Sequence, residues 1–196
     1  MMNYFKTTFY VLMLSFVFTA CSDDDDNGNV IDQMEEEMDE VLIYKKTFLI
    51  TNEGPFQNGF GTVSSVSEGL GAIENDIYQT NNNGDNLGNI VQSISFYEED
   101  AYVITNVSNR ITIVDRNSFI EKARLDEGLE NPRFMAVANG KGYVTNWGDP
   151  FVETDDYVAV IDLITNTIVN TIAVPLGPEK IVFNESNIYV AHKGAF

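Results

Sequence analysis

One tetrad of residues recurs along this chain, and its recurrence constrains the fold more than any other feature. Leu49-Ile50-Thr51-Asn52, Val103-Ile104-Thr105-Asn106, Tyr143-Val144-Thr145-Asn146 and Tyr189-Val190-Ala191-His192 align with one another, their last residues 54, 40 and 46 positions apart. After two of them comes a second apolar run, Ile111-Thr112-Ile113-Val114-Asp115 and Val158-Ala159-Val160-Ile161-Asp162. A third run follows (119–125; 167–174), and a fourth opens on a turn: Gly88-Asn89-Ile90-Val91, Asn131-Pro132-Arg133-Phe134 and Gly177-Pro178-Glu179-Lys180. Four short strands in a unit of 40–50 residues is the period of a β-propeller blade.

The character of the strands agrees. They are rich in Val, Ile, Tyr and Thr, and several are apolar on both faces. A two-layer sandwich buries one face of each sheet and shows cleaner alternation, whereas stacked blades bury both. No segment after residue 47 keeps a helical period beyond about ten residues. The expected fold class is therefore all-β, a propeller of four-stranded blades spanning residues 47–196 and holding about three blades plus the start of a fourth.

In Tyr143-Val144-Thr145-Asn146 the chain resembles the YVTN β-propeller repeat family. Asn52-Glu53-Gly54, Leu87-Gly88 with Gln92-Ser93, Asn131-Pro132-Arg133, 143–149 and Gly177-Pro178-Glu179 resemble its YncE-like branch, the surface lipoproteins of Bacteroidetes. The first unit departs most: it carries an Asn-rich insert (Asn81-Asn82-Asn83-Gly84-Asp85-Asn86) and lacks a Val-x-Val-x-Asp run. The resemblance implies a ring of about seven blades, more than 196 residues hold. The sequence is thus expected to be a truncated reading of a longer protein. A half-ring completed by self-association is the alternative.

Residues 1–46 read differently. The run 7–20 (TTFYVLMLSFVFTA) has the length of a signal-peptide apolar region and is short for a membrane span. It ends in Phe18-Thr19-Ala20-Cys21, which resembles a bacterial lipobox with Phe where Leu is usual, and Cys21 is the only cysteine. The alternative is a free buried cysteine. Residues 1–20 are read as a lipoprotein signal peptide and Cys21 as the lipidation site. Ser22-Asp23-Asp24-Asp25-Asp26 resembles the acidic signal that exports such lipoproteins to the outer face of the outer membrane. Residues 21–46 as a whole are read as that signal plus a flexible acidic tether, since like charges extend a chain. The membrane is then engaged through the lipid anchor only.

Charge and composition exclude whole classes of function. Eleven Lys and Arg against 30 Asp and Glu give a net charge of −19, so there is no cationic surface for nucleic acid. A single His and a single Cys cannot build the usual zinc sites. No nucleophile–base pair can be read from spacing, so no catalytic residue is assigned; a lactonase-like activity is a remote third reading. No cofactor and no metal are expected. The run 149–156 (Asp-Pro-Phe-Val-Glu-Thr-Asp-Asp) offers calcium-type oxygen ligands, but lacks EF-hand spacing and is read as a solvated hairpin loop, as is the Asn-rich insert.

Candidate binding residues come from blade geometry. If each unit runs from inner to outer strand, the loops after the tetrads and those leading into the inner strands share one end of the ring. The first set supplies Glu53, Asn106, Trp147, His192 and Lys193; the second supplies Gln92, Arg133 and Glu179. Each has a structural alternative: a turn amide for the recurrent Asn, blade-top caps for Arg133 and Glu179. Together they suit a large polar ligand with an apolar body. The resemblance implies such a ligand, a corrinoid of the vitamin B12 type, captured for an outer-membrane transporter. The second function expected is an adhesion or scaffold propeller binding protein or glycan.

Overall fold

In the computed structural model the described residues are 47–56 and 58–194. The signal peptide, Cys21, the run Ser22–Asp26 and the tether lie outside them. No helix among the described residues is long and apolar enough to cross a membrane.

Four antiparallel sheets follow one another along the chain. Blade 1 holds β1 (Thr47–Asn52), β2 (Thr62–Ser67) and β3 (Ile73–Glu74). The two complete blades are blade 2, with β4 (Val91–Tyr97), β5 (Asp100–Thr105), β6 (Arg110–Asp115) and β7 (Glu121–Leu125), and blade 3, with β8 (Pro132–Ala138), β9 (Lys141–Asn146), β10 (Tyr157–Asp162) and β11 (Thr167–Ala173). Blade 4 shows β12 (Pro178–Asn184) and β13 (Asn187–His192). The inner strands neighbour one another in order, β4 against β8 and β8 against β12. The all-β propeller is what the structure shows, its blades forming an arc and not a closed ring among the described residues.

Both faces of each complete blade are buried, because alternate residues of a strand point to opposite faces. On β5, Ala101 and Val103 join Val63, Val91 and Phe119 between blades 1 and 2. Tyr102 and Ile104 of the same strand join Met135, Val144 and Ile161 between blades 2 and 3. Ala136, Val158 and Ile181 form the next layer, between blades 3 and 4. On blade 4, Val182 and Tyr189 are more than half exposed.

Two-residue turns join each inner strand to its neighbour: Glu98-Glu99, Asn139-Gly140 and Glu185-Ser186. The first residue of each has positive φ (50°, 52° and 57°), and Gly140 follows at 71°. This is the twist-matched hairpin geometry that Asn-Gly adopts without strain. Counting from these turns aligns Tyr102-Val103-Ile104-Thr105 with 143–146 and 189–192. The tetrad of blade 2 therefore begins at Tyr102, one residue earlier than the Thr-Asn match suggests. Asn106 is the residue after the strand.

The first unit has its own solution. β2 buries Ser64 and Ser65; the equivalent residues are Thr112 and Ile113 in blade 2 and Ala159 and Val160 in blade 3. Asn52 donates to Ser64 Oγ (3.0 Å) and Ser64 donates to Asn75 (2.9 Å), so this burial is hydrogen-bonded. The Asn-rich insert (81–86) is mostly exposed, with Asn82 and Asn86 half-buried, and a short helix that runs into it, α1 (Ile77–Asn81), buries Ile77 and Tyr78 against blade 2.

Candidate functional site

The two loop sets do lie at one end of the blades. Val91 pairs with Thr105, Pro132 with Asn146 and Pro178 with His192, so each inner strand starts beside the end of its second strand. One further rung follows in every case: Asn106 N–H donates to Ile90 O (2.8 Å), Trp147 N–H to Asn131 O (3.2 Å) and Lys193 N–H to Gly177 O (2.8 Å). Glu53, Asn106, Trp147 and Lys193 thus occupy one position in successive blades, directly after the second strand. Gln92, Arg133 and Glu179 occupy another, second in each inner strand.

That second position coincides with a β-bulge. The ladder shifts by one residue between Val91 and Ser93, between Pro132 and Met135, and between Pro178 and Ile181. A bulge leaves a residue unpaired and re-aims its side chain, so the three candidates sit where the sheet itself changes direction.

Four of the eight candidates come together. Arg133 and Glu179 form a bidentate pair, Nε to Oε2 at 3.1 Å and Nη2 to Oε1 at 2.9 Å, both half-buried. The Arg133 guanidinium lies 3.8 Å from the centre of the Trp147 ring and the Lys193 ammonium 4.7 Å from it. Guanidinium on indole is a favourable stack that also holds the group in place. Two cations against one carboxylate leave this cluster positive in an acidic chain. Lys180, beside Glu179, covers Phe134 in the same manner at 3.4 Å.

Asn106 and Trp147 also share a structural task. Asn106 Nδ2 donates to Pro132 O (3.2 Å), and Trp147 Nε1 donates to Pro178 O (2.9 Å). Each binds the carbonyl of the proline that opens the next inner strand. Asn106 is buried and consumed by this role. Trp147 keeps ring surface to spare and lines a cleft of about 190 Å³ whose other walls are apolar (Pro150, Val152, Leu176) and acidic (Asp149, Glu153, Asp156). His192, exposed, contacts Leu176 O through Nδ1 (3.3 Å). Glu53 is exposed on blade 1 and Gln92 half-buried on blade 2, outside the four-residue cluster.

The run Asp149–Asp156 is not a solvated loop at its end. Asp156 is 1% exposed and its Oδ2 accepts from Gly177 N–H (2.6 Å) on the next blade. Burial holds its carboxyl above the usual carboxylate range; the Asp155 charge adds to this, while the Gly177 N–H and His192 oppose it. This residue was readable only through its blade-2 equivalent, Asn109, which accepts from Asn131 N–H (2.8 Å) in the same way.

The family described as Domain of unknown function (DUF5074) matches residues 46–195. No curated protein matches the chain significantly. Among solved structures, the WD40 domain of Neurospora crassa Pan2 is similar at 12% identity and a TM-score of 0.50, over 74% of this chain and 40% of that one. Apo AztD from Citrobacter koseri matches at 18% identity and a TM-score of 0.40, over 68% and 36%. The chain therefore spans about 40% of the Pan2 domain's length. At such identities the Pan2 likeness supports the propeller fold alone.

Proposed function

The chain belongs to the family described as Domain of unknown function (DUF5074); we propose, from its sequence and its rim cluster, that it is a cell-surface lipoprotein whose propeller captures a large polar ligand, a corrinoid foremost, for an outer-membrane transporter. The observation that carries the binding site is the cluster of Trp147 with Arg133, Glu179 and Lys193, whose Trp147 ring also lines the 190 Å³ cleft. A pinned aromatic with two cations fixed against it is preorganised, so little side-chain entropy is lost on binding. Amphipathic Trp and Arg in such settings carry much of the energy of recognition. The anchor and the exterior location rest on Cys21 and on the run Ser22–Asp26. The corrinoid rests on the family resemblance of the sequence.

The test is calorimetric titration of the full chain with cyanocobalamin, with Trp147→Ala, Arg133→Ala and Lys193→Ala alongside. Saturable binding is expected, weakened about tenfold or more by Trp147→Ala and Arg133→Ala, the range of a binding hot spot. Binding that ignores all three substitutions would remove the cluster from the site. No heat with the parent chain would reject the corrinoid and leave the scaffold reading in front.

A further inference from the structure

In blades 2, 3 and 4 the second strand pairs with an inner strand, whereas in blade 1 β1 is the edge of its sheet among the described residues. The pairing of β1 with β2 sets Thr47 and Asn52 level with Asp100 and Thr105 and with Lys141 and Asn146, so β1 is itself a second strand. The place of an inner strand, beside β1 and over β4, is a groove of about 540 Å³ lined by Leu49, Ile94 and Phe96. Phe96 is 43% exposed, while its equivalents Val137 and Phe183 pack into the layer that precedes their own blades. Hairpin spacing identifies the residues that fit the groove. Each inner strand among the described residues has seven residues, and two turn residues join it to its second strand. Counting back from Thr47 gives Lys45-Lys46 for the turn and 38–44 for the strand. Val41-Leu42-Ile43-Tyr44 then falls level with Ile94-Ser95-Phe96-Tyr97, Met135-Ala136-Val137-Ala138 and Ile181-Val182-Phe183-Asn184. Lys45 and Lys46 fall level with Glu98 and Glu99, so the turns of neighbouring blades are of opposite charge.

We propose that residues 38–44, which precede the described fold, complete blade 1 as its inner strand, antiparallel to β1 and stacked on β4. Ser95 and Ala136 face the blade that follows their own, so Leu42, at the same position, faces the groove, and alternation turns Val41 and Ile43 to the other side. Asp39 joins Gln92, Arg133 and Glu179 in the second position of an inner strand. Inner strands begin at the end of the blades that carries Arg133 and Trp147. The chain from Cys21 therefore enters the propeller at that end, after residues 22–37 instead of 22–46. Resting on the proposed anchor at Cys21, this brings the lipid tether and the ligand cluster to the same end of the molecule, the end a membrane-embedded transporter would meet.

The test is paired cysteines in the full chain carrying Cys21→Ser, so that they are the only thiols and the outcome does not depend on the anchor. Directly opposed residues of antiparallel strands lie about 4.5–5.5 Å apart at Cα, within reach of a disulfide. The register of blades 2 and 3 opposes Ile43 to Phe48 and Val41 to Ile50, and both β1 residues are exposed. Ile43→Cys with Phe48→Cys should close to a disulfide within one chain on mild oxidation. Val41→Cys with Ile50→Cys should do the same, and decides should the first pair fail to fold. Ile43→Cys with Leu49→Cys, on opposite faces, should stay reduced. Leu42→Ser should lower Tm by about 4 °C or more, and Ile43→Ser should shift it less. Matched pairs that close no faster than the mismatched one, or a Tm indifferent to Leu42→Ser, would overturn the proposal. So would a disulfide that joins two chains, which would give the β1 edge to a second copy.

Discussion

Asp115 and Asp162 end the third strands of the two complete blades and do the same work. Asp115 Oδ1 accepts from the N–H groups of Asn117 (3.0 Å) and Ser118 (2.9 Å); Asp162 Oδ1 accepts from those of Ile164 and Thr165 (both 3.0 Å). Each carboxylate closes the turn that sends the chain into the outer strand. Burial works against the charged form of Asp115, but the N–H groups of Ser118 and Asn117 outweigh it and hold the pKa below its ordinary value. The sign follows. A depressed folded pKa gives a contribution that is complete above the unfolded value of about 3.9 and lost as pH falls through the folded one. Asp115→Ala should cost about 1 kcal/mol at neutral pH, the worth of a comparable side-chain cap. The Tm gap between parent and variant should stay level down to about pH 5 and shrink below about pH 4. A gap that widens on acidification would show that the carboxylate is not the stabilising form.

At the scale of elements, the insert of blade 1 is the part most clearly fastened by one side chain. Asn82 donates through Nδ2 to Tyr78 O (2.7 Å) and Phe119 O (2.9 Å), and its Oδ1 accepts from Glu121 N–H (2.9 Å). Arg124, which bonds Tyr78, Glu121 and Asp85, closes the same seam. Asn82→Ala removes these three side-chain bonds and strands Glu121 N–H. Amide exchange should then accelerate across 77–86 while β9 and β10 keep their protection; uniform acceleration would mean that the insert is no separate unit. The sequence showed this segment only as polar, because an Asn that reaches another blade looks like an Asn in a turn. The strands were far more legible, since Val, Ile and Tyr repeated at blade period and on both faces. Register was not. Thr105-Asn106 imitates Thr145-Asn146, while the true equivalence is set by the two-residue hairpin and visible in Tyr102-Val103, Tyr143-Val144 and Tyr189-Val190. A slip of one residue exchanges the faces of a strand, which is why Asn106 belongs with Trp147 and not with Asn146. Arg133, Glu179 and Trp147 were reachable because blade topology brings loop starts together whatever their partners. The burial of Asp156 was not, because a buried carboxylate at the end of an acidic run leaves no mark in composition.

The whole molecule is held by layers between blades and opposed by its own charge. The three interblade cores are apolar and respond little to screening. Residues 48–196 carry 20 acidic against 8 basic side chains, so added salt acts in two opposite directions. It weakens surface ion pairs such as Arg110–Asp126 and Lys122–Asp100, both at 2.6 Å, each worth about 0–1 kcal/mol when exposed. It also screens repulsion among the unpaired carboxylates, which acts over about 30 Å at 0.01 M ionic strength and about 8 Å at 0.15 M. Acidic groups outnumber cations more than twofold, so the second effect should win: excess like charge destabilises the compact state. Tm should therefore rise with sodium chloride between those two ionic strengths, and a fall would mean that the few pairs outweigh the many repulsions.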